Sequence, residues 1–209
     1  MQTPTLAFVP VRPRVVLVHG LFMGRHAMAL LARRLRRQGF DVDCFAYNTV
    51  TGSLNAGTQK LHQELRRRPG PVALVGHSLG GLVSLQAAQF TDVSLTAVVL
   101  LGSPVQGAKA ARILRSVTGG SRSVVGRALH DWADGRKRPA VAVPVYTLAG
   151  TRSTGLGRVV ARFKEPNDGT VTVAETHYPG ATACALPVSH TGMLFDAEVA
   201  KQVSAWLGA

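Results

Sequence analysis

Cysteine is scarce: Cys44 and Cys184 are the only two in 209 residues, with neither a CxxC pair nor the spacing of a metal site. They read as two small core residues, with a disulfide as the lesser reading and no metal centre expected. Acidic residues are also few, 11 against 24 Lys and Arg, for a net charge of +13. Such a field attracts anionic membrane surfaces or acidic substrates. The favoured reading is nevertheless a solvated, Arg-rich surface, because the basic clusters at 33–37, 66–68 and 136–138 are separated along the chain. Aromatic residues make up 6% and do not interleave those clusters, which argues against a nucleic-acid partner. No apolar run approaches the roughly 20 residues that a membrane-spanning helix needs. Residues 1–13 contain three prolines and lack a basic start followed by an apolar stretch, so they do not read as a signal peptide, and a cytoplasmic location is expected.

What is abundant is a regular alternation of short apolar runs with helical patterns, the signature of βαβ units. Val15–Val18 is continuously apolar, as in a strand covered on both faces. Further strands are predicted over 41–47, 72–75, 95–101, 143–149 and 183–188. Helices are predicted over 26–38, 54–68, 79–90 and 195–207, with Pro69-Gly70-Pro71 stopping the second. The fold expected is a single α/β domain over 1–209, with a doubly wound, mainly parallel sheet of about six strands flanked by helices. The stretch 104–139 reads as crossover helices, with a small helical cap as the alternative.

Gly76-His77-Ser78-Leu79-Gly80 fits G-x-S-x-G and lies between a predicted strand and a predicted helix, the setting of a nucleophile elbow. A serine hydroxyl needs a base, and the base needs an acid to fix its tautomer. In a parallel sheet both must lie beyond carboxyl ends of strands. His177 precedes the last strand and His190 follows it, so His190 is the candidate base. Asp168, in Asn167-Asp168-Gly169, is the candidate acid, with Glu165 as its nearest rival and a plain Asp-Gly turn as the structural alternative. Oxyanion donors are expected from the Leu79 N–H and, after the first strand, from Leu21, with Phe22 as fallback. His19 is expected to be structural, buried and hydrogen-bonded. Phe22, Met23, Met193 and Leu194 are expected to line an apolar acyl pocket, with loop packing as the equal alternative.

With these residues the chain resembles the α/β-hydrolase superfamily, and within it the small lipases and esterases with little or no lid. The likeness rests on Val18-His19-Gly20, Gly76 to Gly81, Gly102-Ser103-Pro104 with Gly107, Asp168 to Val171 and Ser189 to Gly192. It implies a cofactor-free hydrolase that cleaves a carboxylic ester through an acyl-enzyme, with the residue after His-Gly donating to the oxyanion. The same triad would equally serve a thioesterase, a polyester depolymerase or an acyltransferase. A non-catalytic module that docks on an anionic surface is the reading outside enzymology.

Overall fold

A computed structural model describes residues 12–107, 139–154 and 164–208. Six strands, β1 Arg14–Val18, β2 Val42–Phe45, β3 Val72–His77, β4 Leu95–Leu101, β5 Val145–Gly150 and β6 Thr182–Leu186, form one sheet in the order β2-β1-β3-β4-β5-β6. Every pairing is parallel. Alternate residues of the central strands point to opposite faces. Val15, Leu17, Ala73, Val75, Val99 and Leu101 meet helices α1 (Ala29–Arg37) and α4 (Ala197–Gly208). Val16, Val18 and Leu74 meet α2 (Leu54–Arg67) and α3 (Leu79–Ala87) on the other side. Both faces are therefore dry, which is why β1, β3 and the end of β4 are continuous apolar runs instead of alternating ones.

Element ends follow local chemistry. Ser53 caps α2 by accepting from the Ala56 N–H at 3.1 Å, and α1 ends where Gly39 turns left-handed at φ 88. The fifth strand starts at Val145, two residues later than expected, after Pro144. The sixth stops at Leu186, two residues early, because Pro187 has no N–H for the ladder. The first predicted helix begins as a 3-10 turn over Arg25–Met28, and the last begins only at Ala197, capped by the Asp196 carboxylate. Residues 108–138, most of the expected crossover or cap, lie outside the described residues. No helix among the described residues is long and apolar enough to cross a membrane. Cys44 lies on β2 and Cys184 on β6, the two edges of the sheet, so at about 4.8 Å per strand they are too far apart to pair. Both are only half buried, at the margin of the core.

The chain winds outward from β1 to β2 in one direction and from β3 through β6 in the other, so the direction reverses between β1 and β3. Carboxyl ends of strands at such a reversal form a natural crevice. The crevice is tight here: a methyl group on Gly80, in the first turn of α3, would stand 2.1 Å from the Val18 carbonyl oxygen at the end of β1. Backbone on both sides leaves nothing flexible to yield. Gly80→Ala should therefore cost about 3 kcal/mol or more of stability, read as the change in urea midpoint at constant slope. A loss under about 0.5 kcal/mol would show that α3 does not approach β1 this closely.

Candidate active site

Ser78 stands between the last residue of β3 and the first of α3, with φ 53 and ψ −120, a combination that a residue with a side chain rarely adopts. Such a backbone costs of order 1–3 kcal/mol and persists only where its surroundings enforce it. Here the Ser78 N–H donates to the Leu101 carbonyl at 2.9 Å and the Ser78 carbonyl accepts from Gly81 at 3.1 Å. The side chain stays partly exposed while His77 and Leu79 on either side are fully buried. Leu79 opens α3, so its N–H belongs to the first turn, where the helix supplies no acceptor.

Asp168 lies in the connection from β5 to β6 and is completely buried. One carboxylate oxygen, Oδ1, accepts the N–H groups of Thr170 and Val171 at 2.8 and 2.7 Å. The other, Oδ2, accepts from His190 Nδ1 at 2.7 Å. The turn aspartate and the partner of His190 are thus one residue, each oxygen doing one task. Glu165, the rival, is exposed. His190 follows β6 and is 8% exposed, and its own N–H donates to the Asp168 carbonyl at 2.9 Å. Side chain and backbone are tied to the same residue. Gly102, directly after β4, has φ 56, and a methyl group there would come within 3.1 Å of both Asp168 Oδ2 and His190 Nδ1. The pair sits on bare backbone, which explains the glycine in Gly102-Ser103-Pro104.

The loop after β1 carries the remaining candidates. His19 is buried as expected, with Nδ1 3.1 Å from the Gly20 carbonyl, while its own carbonyl accepts from the Tyr47 hydroxyl at 2.9 Å. Leu21 packs half-buried beside the α2 and α3 core, and Met23 beside the α1 and α4 core. Phe22 takes a left-handed backbone at φ 56 and is 61% exposed. Met193 and Leu194, also expected to face an acyl chain, are instead fully buried in the core, Met193 running under Gly102. They support the site from below, because the 3-10 turn over Gly192–Leu194 points them inward.

His77 was only a spacer in the motif, yet it occupies the centre of the site. Its Nε2 lies 2.9 Å from the His190 carbonyl, and the two rings are 4.7 Å apart. Burial, reinforced by the neighbouring His190, pulls its pKa from 6.5 down to about 3, against the raising effects of the His190 carbonyl and the Asp168 charge. Burial likewise lowers that of His19. Both imidazoles are therefore neutral near pH 7. Five basic side chains from separate stretches of the sequence meet beside edge strand β2. A cleft of about 510 Å³ opens there, lined by Arg14, Arg25, Lys60, Arg67 and Arg68 with Asp43 and Glu64, and it includes none of the site residues. Much of that charge is compensated, as in Arg14–Asp43 and Arg67–Glu64, each 2.8 Å.

Residues 15–202 match the model of the alpha/beta hydrolase family. No curated protein matches the sequence. Among solved structures the chain is similar to the mature lipase BlEst2 of Bacillus licheniformis, with 22% identity, TM-score 0.74, and 98% of this chain and 95% of that one covered. It is similar also to a pyrethroid hydrolase from Sphingobium faniae JZ-2 (15%, TM-score 0.66, 94% and 98% covered). Phospholipase PlaB from Legionella pneumophila aligns over 78% of this chain and 45% of its own, at 16% identity and TM-score 0.61.

An unfolded chain protonates its histidines near pH 6.5, whereas the folded chain protonates His77 only near pH 3. Between those values the unfolded state holds more protons, so stability falls as pH falls. Replacing the imidazole removes that contribution: from pH 6.5 to 4, His77→Gln should lose stability less steeply than the wild type, by up to about 1.4 kcal/mol per pH unit. Urea unfolding at a series of pH values measures this, and parallel curves would contradict a neutral, buried His77.

Proposed function

Because the chain belongs to the alpha/beta hydrolase family, we propose that it is a serine hydrolase that cleaves carboxylic esters through an acyl-enzyme on Ser78. The observation that carries this reading is the 2.7 Å bond between Asp168 and His190, made at the same sheet edge as the strained Ser78. The names of the structural neighbours, a lipase, a phospholipase and a pyrethroid hydrolase, support ester cleavage over other uses of the triad.

In this reading Ser78 Oγ attacks the ester carbonyl carbon and its proton passes to His190 Nε2. Asp168 Oδ2 holds the Nδ1–H, which fixes the tautomer and stabilises the imidazolium. The carbonyl oxygen becomes an oxyanion, stabilised by the N–H groups of Leu79 and Leu21. Collapse of the tetrahedral intermediate breaks the bond to the alkoxide, which leaves with the proton from His190. Water then attacks the acyl-enzyme by the same route, giving up its proton to His190 and releasing the acid and free Ser78. Phe22, projecting at the rim, and Met23 beside it supply the apolar contact for the acyl group.

Two outcomes follow for hydrolysis of p-nitrophenyl esters. Ser78→Ala should abolish turnover, and Asp168→Asn, which leaves His190 in the wrong tautomer, should lower kcat by about 10³–10⁴-fold. A fully active Ser78→Ala enzyme would sink the assignment. A panel of oxyesters and thioesters with matched acyl groups separates the esterase from a thioesterase, and the oxyesters should turn over faster.

A further inference from the structure

We propose that His77 is a positioning residue for the base: its imidazole ties the strand that delivers Ser78 to the backbone of the loop that carries His190. The proposal rests on the serine-hydrolase reading and extends it to a residue which that mechanism leaves unused. His77 is the last residue of β3 and is fully buried, and its Nε2 stands 2.9 Å from the His190 carbonyl oxygen. A carbonyl oxygen only accepts, so Nε2 carries the hydrogen; the ring, being neutral, then presents a bare Nδ1. That Nδ1 is buried and has no hydrogen-bond partner among the described residues. An unpaired acceptor in a dry site is unfavourable, and a leucine of similar size would not carry it. What the histidine supplies in exchange is the single bond to His190.

His190 is consequently held at three points. Its side chain and its N–H are fixed by Asp168, and its carbonyl by His77. The first two set the ring relative to the acid, whereas the third sets it relative to the nucleophile, because His77 and Ser78 are consecutive. Gly20 completes the fit: a methyl group there would lie 3.0 Å from His77 Nδ1 and 3.1 Å from Ser78 Cβ, so the β1 loop presses the pair from the other side.

Loss of the strut misplaces His190 without altering what binds the substrate. His77→Leu should lower kcat about 10- to 100-fold, the range expected for small errors of placement, with KM within about twofold of wild type. His77→Gln, whose terminal amide reaches the Nε2 position, should recover most of that loss, whereas the shorter His77→Asn should not. Nitrogen-15 spectra of the wild type should show the His77 ring protonated at Nε2 alone from pH 5 to 8. Wild-type kcat in the Leu variant would overturn the proposal, as would equal kcat in the Gln and Asn variants or an Nδ1–H tautomer. The Gln and Asn pair decides the matter even if the Leu variant does not fold. Failure here, with Ser78→Ala inactive, removes only the strut; activity in Ser78→Ala removes the reading on which it rests.

Discussion

The backbone at Ser78 is the constraint around which this molecule is built. A residue with φ 53 and ψ −120 is unstable unless both sides hold it, and here the strand on one side and the helix on the other are buried along almost their whole length. β3 is paired on both edges and covered on both faces. α3 is pressed so close to β1 that only glycine fits at position 80. The strain is therefore supported by the doubly wound core, which presents the serine at the carboxyl edge of the sheet. Rigidity of this kind is what pre-organised catalysis requires.

Around that turn the remaining groups are connected through backbone as much as through side chains. Asp168 uses three acceptors at once: Oδ1 closes its own turn, Oδ2 holds the imidazole and its carbonyl holds the His190 N–H. His77 holds the other end of the same residue. Four strands thus contribute to one small volume, β3 with Ser78, β4 with the bare backbone of Gly102, and the connections leaving β5 and β6 with Asp168 and His190. Burial keeps the His77 and His19 imidazoles neutral, and the His190 ring that Asp168 holds stands 4.7 Å from that of His77. That neutrality follows from desolvation, which disfavours the charged form of a buried imidazole.

Much of this is legible in the amino-acid sequence. Strand order along the chain, the position of His190 beyond the carboxyl end of the last strand and the turn at Ser78 are all consequences of parallel pairing, which leaves continuous apolar runs and glycine-rich strand ends in the sequence. The details that were not legible depend on three-dimensional packing. Periodicity cannot tell whether Met193 and Leu194 face a substrate or the core, because a single 3-10 turn decides it. The role of His77 is hidden for a similar reason: its partner lies 113 residues away. Arg14, Arg25 and Arg68, far apart in sequence, line one cleft because β1, the turn before α1 and the end of α2 all lie beside the same edge strand. Pro144 and Pro187 did mark where the fifth and sixth strands would start and stop, a local signal that apolar content alone overrode.

The central claim is that one serine, made nucleophilic by this geometry, carries the acyl group. Treatment of the native protein with a fluorophosphonate, followed by peptide mass spectrometry, tests it most directly. The account predicts a single stoichiometric adduct on Ser78, formed with loss of esterase activity and greatly slowed in His190→Ala. Labelling that spares Ser78, or that proceeds equally well without His190, would contradict it.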